Sequence, residues 1–246
     1  MLLIFEPTET AGAGATRPRL CRLSDEEFYY VKGRSLTPNG LVNEYLSASF
    51  GKLLGLPIPD FELAEWPKLT KAFQTDVWNE VVSELGFGPL FASKRVPNLM
   101  EIDLARTIAV PEKLKRDVAA FDYWVGNADR VLTESGGNPN LFWDLKSNQL
   151  IVLDHNLSFD QSYSLEEMLE LHIFREELRL ILTDDSLKNH YSNIYAEKIN
   201  HWDDIVKTIP DSWLYSDEMQ TMDAGIDFSA KRSWLERLCH PGGWGN

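Results

Sequence analysis

One stretch of the chain, residues 121–160, constrains the fold more than any other part. It starts with an apolar run typical of a buried helix and then reaches a polar loop that contains Asp129. Asn140 opens an apolar strand-like segment, NLFWDL, and Asp154 closes a second one, QLIVLD. Two short apolar segments bounded by turn-forming residues predict a β-hairpin. The stretch therefore predicts a helix, a polar loop and a hairpin with polar side chains at its strand ends.

These polar side chains suit phosphoryl transfer from Mg-ATP. In that chemistry one carboxylate orients the attacking hydroxyl, while an amide and a second carboxylate hold Mg²⁺ on the phosphates. We assign the first role to Asp129 and the metal-binding roles to Asn140 and Asp154. Each of the three also has an ordinary explanation as a turn or capping residue. Asn138 is a second amide in the loop, but Asn140 is preferred because it leads directly into the apolar strand.

Charge and composition disfavour several classes of protein. The 246 residues carry a formal net charge of −14, whereas a surface that binds nucleic acid or anionic lipid needs an excess of Lys and Arg. Cys21 and Cys239 are far apart and fit a reducing compartment. With no run of 18 apolar residues, we expect a cytoplasmic protein without nucleic-acid or membrane partners. Binding ATP needs only a few local cations and Mg²⁺, so it is compatible with this charge.

The order of the predicted elements indicates an α+β fold in two parts. The first part contains three strands within residues 1–32, a helix at 41–55, a strand at 59–66, a helical region at 67–88 and a strand at 89–96. Beyond residue 99 the pattern predicts one hairpin and helices at 111–126, 164–182, 184–208 and near 228–238. We therefore predict two domains, 1–98 and 99–246, with the break near Pro97.

The first domain offers candidate phosphate-binding residues. Lys32 ends the strand FYYVK, and Glu44 lies early on the following helix, where its carboxylate could hold the lysine in place. A solvated lysine and a glutamate favoured by the helix dipole are the ordinary alternatives. The segment between the first two strands contains Gly12 and Gly14, whose backbone N–H groups could contact phosphates. A plain flexible loop explains those glycines equally well.

Taken together, these residues and their order resemble the HipA-like kinases, a bacterial family. The resemblance lies in YYVKG, LVNEYLSASFGKLLGLPIP, FASKRVPN, FDYWVGNADR, GNPNLFW and LIVLDHNLSF, which cover more than a third of the chain. It implies a bilobal protein-kinase-like fold with a small β-rich N-lobe, one main helix in that lobe, a helical C-lobe, and ATP between the lobes.

The resemblance also implies a role for each candidate residue. Lys32 would bind the ATP phosphates with Glu44 bracing it, Asp129 would be the catalytic aspartate, and Asn140 and Asp154 would bind Mg²⁺. The residues flanking the adenine would be Val96, Asn98 and Leu99. Family members phosphorylate Ser or Thr hydroxyls of proteins, which here could include the chain itself, and some are toxins with a neutralising partner protein.

Two features differ from the usual kinase pattern. The loop between Asp129 and Asn140 is longer than the short spacing usual in kinases, and residues 154–156 read DHN instead of DFG. Two other hypotheses therefore remain beside a Ser/Thr protein kinase. One is an ATP-binding pseudokinase that acts as an interaction module, and the other is a kinase of a small-molecule hydroxyl.

Overall fold

The computed structural model describes residues 1–10, 18–67, 76–134, 136–160, 162 and 164–245. The candidate phosphate-binding glycines Gly12 and Gly14 lie outside the described residues. The described chain forms two compact units. The first contains Met1–Tyr45, Pro59–Pro97 and Ile209–Ile226, and the second contains Leu46–Ile58, Asn98–Thr208 and Asp227–Asn246.

The fold is α+β, as the sequence predicts. The strands are β1 (Leu2–Thr10), β2 (Arg19–Leu23), β3 (Phe28–Lys32), β4 (Phe61–Glu65), β5 (Leu90–Lys94), β6 (Leu99–Glu101), β7 (Val131–Thr133), β8 (Gly136–Asn138), β9 (Leu141–Asp144) and β10 (Gln149–Val152). The helices are α1 (Pro38–Leu53), α2 (Asp76–Leu85), α3 (Glu112–Val125), α4 (Leu165–Leu171), α5 (Arg175–Thr183), α6 (Asp185–Lys198), α7 (Trp202–Val206) and α8 (Phe228–Glu236). Among the described residues, no helix is both long and apolar enough to cross a membrane.

The first unit is built on a closed barrel with strand order β1-β2-β3-β5-β4. The predicted meander is confirmed, because β1, β2 and β3 pair as antiparallel neighbours. Parallel pairing of Leu2 with Ala64 and of Leu3 with Glu65 joins β1 to β4 and closes the barrel. Closure pairs the two outer strands of this sheet with each other over these residues. It was not predicted, since pairing between distant strands leaves no local signal in the sequence.

Helix α1 begins one turn earlier than the apolar pattern indicates. Pro38 occupies the first turn, where its missing N–H costs nothing, and the Thr37 hydroxyl accepts a hydrogen bond from the Gly40 N–H at 3.1 Å. The segment SLTPNG, read from sequence as a loop, is therefore partly a helix start. The first half of α1 belongs to the first unit and the second half to the second.

Helix α2 packs on the barrel core and on the backbone that follows β3. Val81 and Leu85 are buried among the barrel side chains. The carbonyl of Leu85 accepts the Arg34 N–H at 2.6 Å, and a Cβ on Gly33 would lie 2.1 Å from that carbonyl oxygen. Only glycine leaves room for this approach, so the end of α2 fixes the backbone immediately after Lys32.

The second unit combines the predicted hairpin with the helices. β9 and β10 pair in antiparallel register from Leu141↔Val152 to Asp144↔Gln149, which confirms the hairpin, and β6 adds a third strand beside β9. In α3, eight consecutive residues from Val118 to Val125 are buried. The ring of Trp124 stacks on that of Tyr195 with 4.2 Å between their centroids.

Two predicted helices are each interrupted. The region 164–182 divides into α4 and α5 at His172, whose C-cap backbone is extended and whose side chain is buried. The region 184–208 divides into α6, a 3₁₀ turn at Ile199–His201, and α7. Apolar periodicity continues through both interruptions, so the sequence pattern did not locate them.

Helix α8 caps the end of α3. The Arg237 guanidinium donates hydrogen bonds to the carbonyl oxygens of Tyr123, Trp124 and Trp234, and the Trp124 indole N–H donates to the Leu235 carbonyl at 2.9 Å. The last carbonyls of a helix have no partner within the helix, so a cation there is stabilising. The C-terminal segment thus supports the helix that leads to Asp129.

Replacing Gly33 by alanine tests the contact between α2 and β3. We expect Gly33→Ala to lower the free energy of unfolding by about 1–3 kcal/mol, because the new methyl group overlaps the Leu85 carbonyl. Urea unfolding measures the change. The control is Gly242→Ala, whose Cβ would meet no heavy atom within 4 Å and which should change stability by less than about 0.5 kcal/mol. Equal stability of the two variants would contradict this contact.

Candidate active site

The structure brings Lys32 and Glu44 together within the first unit. The Lys32 ammonium lies 3.0 Å from a Glu44 carboxylate oxygen, and the two side chains are 9% and 5% exposed. β3 supplies the lysine at its last residue, and α1 supplies the glutamate in its second turn. A buried charge is costly unless it is paired, so the pair holds the ammonium in one position. The predicted pairing of these residues is therefore present.

The polar loop that carries Asp129 is attached to the end of α3. The helix ends at Gly126 in a left-handed conformation, and the N–H groups of Gly126 and Asn127 both bond the carbonyl of Asp122. The Asn127 side chain donates to the Asp122 carboxylate at 3.0 Å and accepts from the Asp129 N–H at 3.4 Å. The backbone at Asp129 is thus fixed by contacts to the preceding helix.

Asp129 and Asn140 are direct partners. The Asn140 amide donates to an Asp129 carboxylate oxygen at 2.9 Å, although eleven residues separate them. The intervening loop folds into the small hairpin β7–β8, which pairs Val131 with Asn138. Gly137 is required there, since a Cβ would lie 2.2 Å from the Val131 carbonyl oxygen. The long loop therefore forms a side hairpin and still places Asn140 beside Asp129.

The β9–β10 hairpin places Asn140 and Asp154 at the same end of its two strands. The register pairs Leu141 with Val152, and the Leu153 N–H donates to the Asn140 carbonyl at 3.1 Å. Both site residues have left-handed backbones, with φ of 49° at Asn140 and 58° at Asp154. Such conformations are disfavoured for residues with a Cβ and occur mostly where surrounding contacts impose them.

The surroundings of Asp129 raise the pKa of its carboxyl group. Partial burial raises the pKa of this carboxyl, the hydrogen bond from Asn140 and the Arg130 charge lower it, and repulsion from Asp154 raises it; the net direction is upward. The effect of Asp154 also indicates that the two carboxylates lie close enough to interact. A cation bound beside them would relieve this repulsion.

The donor atoms of this cluster fit a hard divalent cation. Carboxylate and amide oxygens are the protein ligands that Mg²⁺ prefers, and it usually takes only one or two carboxylates together with phosphate oxygens and water. Within the described part of the chain, no group of three or more His, Cys, Asp or Glu side chains could hold a metal by itself. An ion held by Asn140 and Asp154 would thus need phosphate and water to complete its coordination.

The structure provides less information on the residues predicted to flank the adenine. Asn98 has a left-handed backbone, with φ of 60°, and its carbonyl accepts the Leu145 N–H at 3.3 Å. Leu99 pairs with Asp144 at the edge of the β9–β10 sheet, and Val96 is half-buried. Their predicted contact with adenine remains a prediction.

His155 is buried and its ring packs edge-on against Phe121, in line with a packing role.

A buried network that the sequence did not reveal lies under the loop. The Arg130 guanidinium and the Asp122 carboxylate are both fully buried and form two hydrogen bonds of 2.6 and 3.2 Å. His172 contacts the same carboxylate through Nε2 at 3.0 Å and accepts the Phe174 N–H through Nδ1, so Nε2–H is the donor to Asp122.

The charges in this network are well defined. Burial by itself would raise the pKa of Asp122, but the Arg130 charge and the hydrogen bond from His172 hold it well below its usual range. Burial lowers the pKa of His172 and keeps the imidazole neutral. The network is therefore an ion pair with a neutral histidine.

One nitrogen of Arg130 contacts the hairpin directly. Its Nη1 donates to the carbonyl oxygens of Pro139 at 3.0 Å, of Asn140 at 3.0 Å and of Leu153 at 3.3 Å. A sequence signal for this network existed, since Asp122 is a lone carboxylate within the buried run of α3 and needs a buried partner. The sequence does not indicate which cation fills that role.

A barrel with helix α1, followed by a helix, a polar loop and a metal-compatible hairpin, defines a kinase-like class of protein. The family model for HipA-like kinases matches residues 4–246, so the chain belongs to that family and its general class is that of a phosphotransferase. A search of curated proteins found no match. Among solved structures, the chain is similar to the Helicobacter pylori proinflammatory kinase CtkA, with a TM-score of 0.50 and 14% sequence identity over 95% of this chain and 90% of that one.

The pKa of Asp129 tests the geometry of the site without any substrate. Asp154→Asn removes the repelling charge and should lower the pKa of Asp129, whereas Asn140→Ala removes a hydrogen bond to the carboxylate and should raise it. Carboxyl ¹³C NMR titration measures both changes. Asp144→Asn is the control, because that carboxylate lies at the opposite end of the same hairpin. An unchanged Asp129 pKa in Asp154→Asn would show that the two carboxylates do not interact.

Proposed function

We propose that this protein is a Mg-ATP-dependent kinase that transfers the γ-phosphate to a Ser or Thr hydroxyl of a protein. The acceptor protein is either another chain or the kinase itself. The observation that carries the proposal is the cluster of Asp129, Asn140 and Asp154. It combines a carboxylate of raised pKa with an amide and a second carboxylate, both held in left-handed backbone conformations. Membership of the HipA-like kinase family supports the same reaction class.

The nucleotide-binding roles follow from the two clusters. In this proposal Lys32 neutralises phosphate charge and Glu44 keeps its ammonium in place. Residues 1–98 act as the nucleotide-binding lobe and residues 99–246 as the catalytic lobe. Val96, Asn98 and Leu99 flank the adenine, and the glycine segment with Gly12 and Gly14 contributes backbone N–H groups to the phosphates.

In the transfer step, the acceptor hydroxyl oxygen forms a bond to the γ-phosphorus while the bond from that phosphorus to the bridging β–γ oxygen breaks. ADP leaves, and the hydroxyl proton passes to the Asp129 carboxylate. A raised pKa suits this role, because it makes the carboxylate a stronger proton acceptor as the bond forms. Asn140 and Asp154 would hold Mg²⁺, which would supply charge neutralisation on the phosphates.

Transfer of label from γ-labelled ATP tests this assignment. We expect Asp129→Asn to retain nucleotide binding and to lose at least about 10²-fold in transfer, because the proton acceptor is absent. Asp154→Ala should lose Mg²⁺-dependent nucleotide binding. The assay follows label on the protein itself and on proteins of a bacterial lysate, with nucleotide affinity measured by calorimetry.

Asp144→Asn again serves as the matched control and should transfer at the wild-type rate. Full transfer by both Asp129→Asn and Asp154→Ala would rule out the assignment. Nucleotide binding without any transfer by the wild type would instead indicate a pseudokinase. Label found only on a small molecule would move the acceptor to a small-molecule hydroxyl.

A further inference from the structure

We propose that Arg130 is the positioning residue of the metal-binding hairpin. Its guanidinium links α3 to the backbone at Asn140 and Asp154. Through this link it determines how tightly these two residues bind Mg²⁺. This inference rests on the proposed function for its effect on catalysis, although the contacts themselves are independent of any ligand. Arg130 is not assigned contact with substrate or nucleotide.

The carbonyls that Arg130 binds adjoin the two metal-binding residues. Nη1 contacts the oxygens of Pro139 and Asn140, just before β9, and of Leu153, just after β10. The Pro139 carbonyl belongs to the peptide bond that joins Pro139 to Asn140. The Leu153 carbonyl belongs to the peptide bond that joins Leu153 to Asp154. Fixing these two peptides fixes the direction from which each side chain leaves the backbone.

The guanidinium itself has little freedom. Nε and Nη2 bind the two oxygens of the Asp122 carboxylate, which is held further by Asn127 at 3.0 Å and His172 at 3.0 Å. The exposed fraction of both the Arg130 and the Asp122 side chain is zero. A buried ion pair of this kind persists only with nearly complete hydrogen bonding, so displacement of either partner is costly.

The backbone conformations at the hairpin end need such support. Asn140 and Asp154 both have positive φ, which is disfavoured for residues with a Cβ and persists where surrounding contacts over-determine it. Both left-handed residues lie beyond the paired residues of the β9–β10 ladder, Asn140 directly before Leu141 and Asp154 two residues after Val152. The contacts of Arg130 to the carbonyls just before β9 and just after β10 supply a restraint at this point.

Lysine cannot replace this arrangement. A guanidinium presents five N–H donors in a planar fork, whereas an ammonium is a compact charge with three donors. Lysine at position 130 keeps the positive charge beside Asp122, yet it cannot bind both carboxylate oxygens and three carbonyls at once. Arg130→Lys therefore keeps the positive charge and removes the positioning contacts, so the effects of the two can be told apart.

The test compares Arg130→Lys with Arg237→Lys. Arg237 also donates to backbone carbonyls of the second unit, but these belong to α3 and α8 and not to the hairpin. We expect Arg130→Lys to raise the Mg²⁺ concentration for half-maximal transfer, or to lower kcat, by about 10- to 100-fold, as is typical when a partner of a metal ligand is removed. KM for ATP at saturating Mg²⁺ should stay unchanged. Arg237→Lys should lower the melting temperature with an unchanged Mg²⁺ requirement.

Hydrogen exchange without nucleotide or metal gives a readout that does not depend on activity. In Arg130→Lys, peptides covering residues 139–156 should exchange faster than in the wild type, while peptides covering 112–125 should not. Uniformly faster exchange, or an unchanged hairpin, would overturn the proposal. If the wild type transfers no phosphate, the proposed function fails, and the exchange result still decides whether Arg130 positions the hairpin.

A second variant covers the case in which Arg130→Lys does not fold. His172→Gln weakens the support of Asp122 without removing the ion pair. It should change hairpin exchange and the Mg²⁺ requirement in the same direction by a smaller factor. A folded His172→Gln protein with wild-type exchange and wild-type Mg²⁺ requirement would contradict the network.

Discussion

The ion pair between Arg130 and Asp122 connects the parts of the second unit that matter for the site. Asp122 lies in a helix whose last eight residues are buried, and Arg130 follows directly after Asp129. The pair therefore joins the apolar core to the polar loop, and Nη1 extends the connection to the residues just before β9 and just after β10. Removing one partner would leave an uncompensated buried charge, which typically costs about 3–5 kcal/mol. The placement of the proposed metal-binding residues thus depends on an interaction in the interior.

Both clusters contain a buried ion pair, but the ion pair has a different role in each. Lys32 and Glu44 form a nearly buried pair in which the cation is the group proposed to meet phosphate. In the other cluster the proposed functional groups are the carboxylates, and the buried Arg130 cation holds the neighbouring backbone in place. In both, a charged group is held by an opposite charge on a helix, since low exposure strengthens the attraction and restricts side-chain rotation. Rigid charges of this kind are what phosphoryl transfer requires, because positioning and electrostatics supply nearly all of its catalysis.

The positions of the candidate site residues could be predicted from sequence because these residues stand at the boundaries of strongly apolar segments. Asp129 follows the α3 run, Asn140 precedes β9 and Asp154 follows β10, so local patterns located all three. Local patterns did not locate Arg130, because an arginine in a polar loop normally remains in solvent. The β7–β8 hairpin was missed since its strands are three residues long and one is GGN. Barrel closure and the break at His172 depend on contacts between distant residues, which local periodicity does not record.

We propose that the end of the β9–β10 hairpin is a metal site that serves a bound nucleotide. Anomalous diffraction from crystals grown with Mn²⁺ and a non-hydrolysable ATP analogue tests it most directly. We expect an anomalous peak in contact with the side-chain oxygens of Asn140 and Asp154 and with phosphate oxygens, while the Arg130 contacts to the Pro139, Asn140 and Leu153 carbonyls persist. A bound nucleotide whose Mn²⁺ lies away from both residues would contradict it.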